Sequence, residues 1–180
     1  MLLKEQHRRY FFERLENPQW VGALADQEFF KHVPDILPDG ELVRLPIWPE
    51  GDYLVRMAPH VPADVVRAVK QGHPTDNPVV NRAIVQIAGL VPLAFVDDLM
   101  PFVEAAASSN YVEYYGMVEL PSVVTRLAQG NKIGLAIRLS TILLQVNEGT
   151  STDFGDGWVT LRASARLGPW SFGQAYQRIR

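Results

Sequence analysis

At 180 residues, 47% of them hydrophobic and 21% charged, the chain has the composition of a soluble folded domain and not of a disordered one. The formal net charge of -3 is near neutral, and the lack of cysteine excludes disulfides, thiolate metal sites and cysteine nucleophiles together. No apolar run reaches the ~18 residues of a membrane span, and Met1-Leu2-Leu3 gives way at once to Lys4, Glu5 and His7, which is no signal-peptide core.

A cytoplasmic location away from membranes is the resulting expectation. Charge is unevenly placed. Between Ala83 and Thr125 there is no Lys or Arg, whereas Asp97, Asp98, Glu104, Glu113 and Glu119 lie there. From Arg126 onward seven basic residues face three acidic ones. The acidic block repels phosphate, so no nucleic acid is expected to run along the whole molecule, although a local basic face near the C-terminus stays open. The plainer reading of the same pattern is a normally solvated surface.

In chain order, Leu3 to Leu15 reads as a short amphipathic helix. Asn17-Pro18 restarts the chain, Asn as cap and Pro in the first turn. Trp20, Val21 and Leu24 then give the next helix an apolar face, and Phe29-Phe30 closes an N-terminal cap over 1–30 by packing. Lys31 to Gly51 holds Pro34, Pro38, Pro46, Pro49 and Asp39-Gly40, so a proline-rich loop without regular elements is expected. Loops of that length tend to be functional or mobile. Within it, Trp48 is expected to dock on the first helical pair, with a ligand-facing role as the lesser reading.

The helical core is expected over 52–147. Pro49 suits the first turn of a helix carrying Tyr53, Leu54 and Met57 and stopping at Pro59. Pro62 opens the next, with Val61, Val65, Ala68 and Val69 on one face and Asp64, Arg67 and Lys70 on the other. Thr75-Asp76-Asn77-Pro78 caps a third helix, where Val80, Ile84, Ile87 and Val91 form the buried stripe and Asn81, Arg82 and Gln86 look outward. Pro92 to Ala107 repeats the pattern, with a break at Met100-Pro101. Leu54 to Pro62 is echoed by Ile84 to Pro92, and more faintly Val61 to Arg67 by Leu120 to Arg126. Prolines at 62, 92 and 121 set a spacing near thirty, the mark of stacked units of two short helices.

Tyr111 to Met117 reads either as a short helix or as an irregular connection. Leu120 to Ala128 is the third proline-led helix, and Asn131 to Asn147 is so apolar, with only Asn131, Arg138, Gln145 and Thr141 polar on one stripe, that it is expected to be the most buried. In the extension over 148–180, Val159, Leu161, Ala163 and Ala165 alternate with Thr160, Arg162, Ser164 and Arg166 as in a strand, with only weak pairing candidates upstream. Trp170, Phe172 and Tyr176 beyond it imply either docking on the repeats or continuation into a longer chain, the second being preferred.

Asp76-Asn77-Pro78-Val79-Val80-Asn81-Arg82-Ala83 resembles the turn and second helix of a HEAT-type repeat, in which an Asp precedes an Arg by six residues. Over about Tyr53 to Val146 the resemblance implies an all-α, right-handed α-α superhelix of short HEAT-like pairs, with Asp76 and Arg82 tying neighbouring units together.

Little in the chain points to chemistry. His7, His32, His60 and His73 have no partner at metal-ligand spacing. Asp97-Asp98 with Glu104 reads as a solvated face, since adjacent carboxylates on a helix diverge, and Asp153 to Gly157 reads as a turn lacking the alternating ligands of a calcium loop. No nucleophile elbow, phosphate-binding loop or dinucleotide fingerprint occurs. No catalytic residue, metal ligand or cofactor is therefore assigned.

A concave stack of repeats usually holds another macromolecule. The expectation is a non-catalytic protein-interaction module, the front part of a larger bacterial protein. Its contacts would come from Arg56, His60, Arg67, Asn81, Arg82 and Gln86, with Trp48 and Tyr111 as aromatic anchors. The rival is a HEAT-like nucleic-acid-binding or DNA-repair protein, which needs a continuous basic groove; Arg126, Lys132 and Arg138 are the residues available for one side of it.

Overall fold

A computed structural model describes residues 2–39, 42–112, 116–144, 146–148 and 163–165. Helix α1 (Leu2–Arg14) and helix α2 (Trp20–Asp26) come first, and the turn between them is set by Asn17, whose side-chain oxygen accepts from the Gln19 N–H at 3.0 Å. Helices α3 (Pro49–Met57), α4 (Pro62–Val69) and α5 (Pro78–Leu90) each start with a proline in the first turn, where its fixed φ suits the helix and its missing N–H costs nothing. A 3-10 turn at Leu93–Phe95 leads into α6 (Val96–Ser108), followed by α7 (Gly116–Gln129) and α8 (Ile133–Leu144).

The described residues are mostly helical, and their contacts sort the helices into two rows. Helix α1 packs on α3, α3 on α5 and α5 on α7; in the second row α2 packs on α4, α4 on α6 and α6 on α8. Consecutive helices α3–α4, α5–α6 and α7–α8 cross between rows. One core runs through all of it, from Phe12, Phe30 and Tyr53 at one end, through Ile84, Ile87 and Leu99, to Leu127 and Leu139 at the other. The middle helix α5 is the most enclosed, with Val80, Ala83, Ile84, Val85, Ile87 and Ala88 all buried.

Several expectations need correction. The proline-rich stretch is not devoid of regular structure: β1 (Leu37–Asp39) and β2 (Leu42–Arg44) pair antiparallel, Leu37 opposite Arg44 and Pro38 opposite Val43. A ribbon of two strands tolerates Pro38 because an edge position need not donate a hydrogen bond. Pro101 does not break α6, and Pro121 lies inside α7, which begins at Gly116 rather than at Leu120. Pro62 opens and Pro92 leads into a second-row helix, whereas Pro121 sits in a first-row one, so the third echo is displaced by half a unit.

Helix α8 is also not the most buried. It ends at Leu144; only Ala136, Leu139 and Leu143 are buried, and Ile133, Ile137 and Leu144 stand largely in solvent. Of the strand expected over 159–166 only β4 (Ala163–Ala165) lies within the described residues, and it pairs antiparallel with β3 (Val146–Glu148), just after α8. The expectations for Tyr114, Tyr115, Thr150 to Gly157 and Trp170 to Arg180 lie outside the described residues.

Candidate protein-interaction surface

Asn77 organises the surface that combines shape with exposed apolar groups. Its Oδ1 accepts from the Val79 N–H at 3.0 Å and so caps α5. Its Nδ2 donates to the carbonyls of Pro34 at 3.1 Å and Pro46 at 2.9 Å, just before β1 and just after β2. One buried amide thus clamps both feet of the hairpin to the start of α5. The His73 Nε2, 3.2 Å from Asp35, adds a second tie. Hydrogen bonding from Thr75 and then from His73 holds the Asp35 carboxyl below its ordinary pKa.

So held, the hairpin and its flank display Leu37, Val43, Leu45 and Ile47, each 37–48% exposed. Leu45 is also one wall of a groove of about 470 Å³ completed by Asp52 of α3 and by Pro78, Val79, Arg82, Ala83 and Gln86 of α5. Charges of both signs meet there. Partial desolvation holds the Asp52 carboxyl above its ordinary pKa, against the pull of the Arg56 and Arg82 guanidinium groups. Arg82 lies 3.7 Å from Glu119 of α7, an ion pair that links α5 to α7.

The structure brings together Arg56, Arg82 and Gln86 of the expected contact residues, on or beside this groove. Arg56 is also a structural cap: it donates to the carbonyls of Phe12, in the last turn of α1, at 2.6 Å and of Leu15, just past its end, at 3.4 Å, and its guanidinium lies 5.9 Å from the Tyr53 ring centroid. His60 is exposed in the turn between α3 and α4. Arg67 belongs to the other row, bridged to Asp26 at 2.5 Å and Asp64 at 3.0 Å. Tyr111 is half-buried after α6, its N–H donating to Ser109 Oγ at 3.2 Å.

Two of the expected contact residues face inward. Asn81 is 1% exposed and donates to the Thr75 carbonyl at 2.9 Å, fastening the loop before α5. Trp48 is 2% exposed, and it packs so tightly over Gly51 that a Cβ there would lie 2.1 Å from the ring. Neither can touch a partner. The hairpin residues Leu37, Val43 and Leu45 were not among the expected contacts; the available signal was Asp39-Gly40 between two apolar pairs, a hairpin cue outweighed by the surrounding prolines.

The second row carries a different pattern. Lys70 pairs with Asp98 at 3.0 Å, Lys132 with Asp97 at 2.5 Å and Arg138 with Glu104 at 2.7 Å. Arg126 donates to the carbonyls of Ala88 and Val91, where α5 ends. Arg126, Lys132 and Arg138, the described residues available to one side of a nucleic-acid groove, are therefore each engaged with an acid or a helix end. No helix among the described residues is long and apolar enough to cross a membrane, and no cluster of potential metal ligands occurs among them.

No family model, curated protein or solved structure matches this chain.

Proposed function

We propose that the chain is a cytoplasmic, non-catalytic protein-interaction module built as a HEAT-like superhelix of short helical pairs. The two-row succession of contacts from α1 to α8 supports the superhelix reading. The observation that carries the function is the clamped hairpin: Leu37, Val43, Leu45 and Ile47 stay exposed beside a groove lined by Asp52, Arg82 and Gln86. Exposed apolar groups rimmed by polar residues mark association surfaces, and opposite charges fix register and discriminate partners. The partner that suits this surface is a protein segment carrying apolar side chains flanked by at least one acidic and one basic residue.

The rival, nucleic-acid binding, needs unpaired cations along a groove, and the pairing of Lys132, Arg138 and Arg126 disfavours it. The test is affinity capture from nuclease-treated bacterial lysate, comparing wild type with Val43→Glu/Leu45→Glu and with Arg82→Glu. The proposal expects a protein retained by wild type and lost by at least tenfold with either variant, while the melting temperatures of the variants stay within a few degrees. Capture that vanishes on nuclease treatment, or that both variants preserve, overturns it.

A further inference from the structure

The ribbon of β1 and β2 has two outer edges, and they are not equivalent. In an antiparallel ladder, pairs that exchange both hydrogen bonds alternate with pairs whose N–H and C=O groups point outward. Pro38 has no N–H and lies opposite Val43, so the exchanging pairs are Leu37 with Arg44 and Asp39 with Leu42. The N–H and C=O of Val43 therefore point away from β1. On the other side of the ribbon Pro38 turns out a carbonyl alone, which blocks that edge to a further strand. Among the described residues β2 has no strand neighbour besides β1, and no loop or turn takes the Val43 backbone groups.

The open edge adjoins the groove. Side chains two apart in extended backbone share a face, so Val43 stands beside Leu45, which walls the groove together with Pro78, Val79 and Ala83. Two charges there are open to a partner. The Asp52 carboxylate has no ion pair among the described residues, and Arg82, with its side chain 61% exposed, meets Glu119 only at 3.7 Å. A helix laid over this edge would bury the Val43 N–H and C=O without partners, because its own backbone groups are spent internally. An extended segment satisfies both. A second copy pairing β2 with β2 would join two three-residue edges, which by themselves fall far short of the roughly 1,200 Å² that a stable association buries.

We propose that the partner segment binds in extended form, as a third strand on the Val43 edge of β2. It exchanges hydrogen bonds with the Val43 backbone and sets alternate apolar side chains beside Val43 and Leu45, over the groove. A basic residue of the segment answers Asp52 and an acidic one answers Arg82. This mode of capture rests on the protein-interaction reading above and deepens it.

Two immobilised peptide pools probe the full chain: short peptides alternating apolar residues with Lys, Glu and Thr, and Ala-rich helices carrying the same apolar residues at helical spacing. The proposal expects retention by the alternating pool. In the tightest alternating peptide, N-methylation of one alternate set of amides should weaken binding at least tenfold and of the other set less than threefold, since an added strand turns only every second N–H toward β2. Val43→Pro removes the edge N–H and leaves the ladder to β1 intact; it should bind at least tenfold more weakly than Val43→Thr, which keeps that N–H. The methylation pattern is read on the wild-type chain, so it decides the matter should Val43→Pro fail to fold. Retention of the helices only, equal losses from both methylated sets, or retention by neither pool would overturn strand addition, while the interaction reading stands or falls separately on the lysate capture. A dimer of the chain that Val43→Pro dissolves would assign the edge to a second copy and overturn it as well.

Discussion

Arg126 and Lys132 lie six residues apart and contribute to the fold in different ways. The Arg126 guanidinium ends on the carbonyls of Ala88 and Val91, both in buried residues, the first at 2.7 Å. Removing a charged donor from such a site leaves acceptors without a partner, so Arg126→Met should cost about 1.5–3 kcal/mol. The Lys132–Asp97 pair stands in water, and Lys132→Ala should cost less than about 1 kcal/mol. Urea unfolding of the two variants checks the contrast, and equal losses would refute it. Glu50 supplies a pH dependence. Its side chain is fully buried against Arg8, and one of its oxygens has no hydrogen-bond partner among the described residues. Burial raises its pKa, with Arg8 opposing. A raised acid in the folded state binds its proton more tightly than the unfolded chain does. Its contribution is therefore complete below the unfolded-state pKa and is lost as pH rises through the folded-state value. Glu50→Gln should consequently gain on wild type as pH increases from about 4 toward neutrality, whereas parallel stability curves would show that burial does not dominate at this site.

At the scale of elements, Asn77 and Gly51 hold the hairpin and α3 in place. Asn77→Ala removes a helix cap and two hydrogen bonds to the hairpin feet, and should cost about 2–4 kcal/mol. Limited proteolysis of that variant should cut first between residues 35 and 47, where the clamp is gone. Gly51→Ala drives a methyl into the Trp48 ring and should cost about 1–3 kcal/mol by overpacking, read as a lowered midpoint in the same denaturant series. These elements also show what the sequence makes legible. Proline at the first turn with a preceding cap marked α5 well, and the stripe Val80, Ile84, Ile87 and Val91 is buried as its spacing requires. Asn81 looked like a surface residue because polarity suggests water; its buried amide is satisfied by the backbone carbonyl of Thr75 in the loop before α5, a partner that no periodicity encodes. The hairpin was obscured for a related reason: four prolines signal a break locally, while the clamp that makes the ribbon persist is an amide more than thirty residues away.

For the whole molecule, the helical class and the succession of short helices followed from composition and period, but the number of units did not. Pro121 repeats the spacing of Pro62 and Pro92 while occupying the other row, so a sequence echo and a structural repeat part company there. Helix α8 shows the complementary failure. Its near-continuous apolar run implied enclosure on all sides, yet among the described residues only one face is sealed, by α6 and α7, and Ile133, Ile137 and Leu144 stay exposed. Of the surface residues singled out by sequence, Arg82 and Gln86 line the groove; the apolar rim that gives the groove its character became visible only when the hairpin was seen to be fixed over it. Surface function in such a stack depends on which side chains adjacent elements leave uncovered, and that is settled by packing between rows.

The measurement that bears most directly on the interaction surface is hydrogen exchange of the full chain, alone and saturated with the protein it retains from nuclease-treated lysate. The account predicts slowed exchange confined to peptides covering residues 42–47 and 78–86, with little change along α4, α6 and α8. Protection centred on those second-row helices, with the hairpin and the start of α5 unchanged, would contradict it.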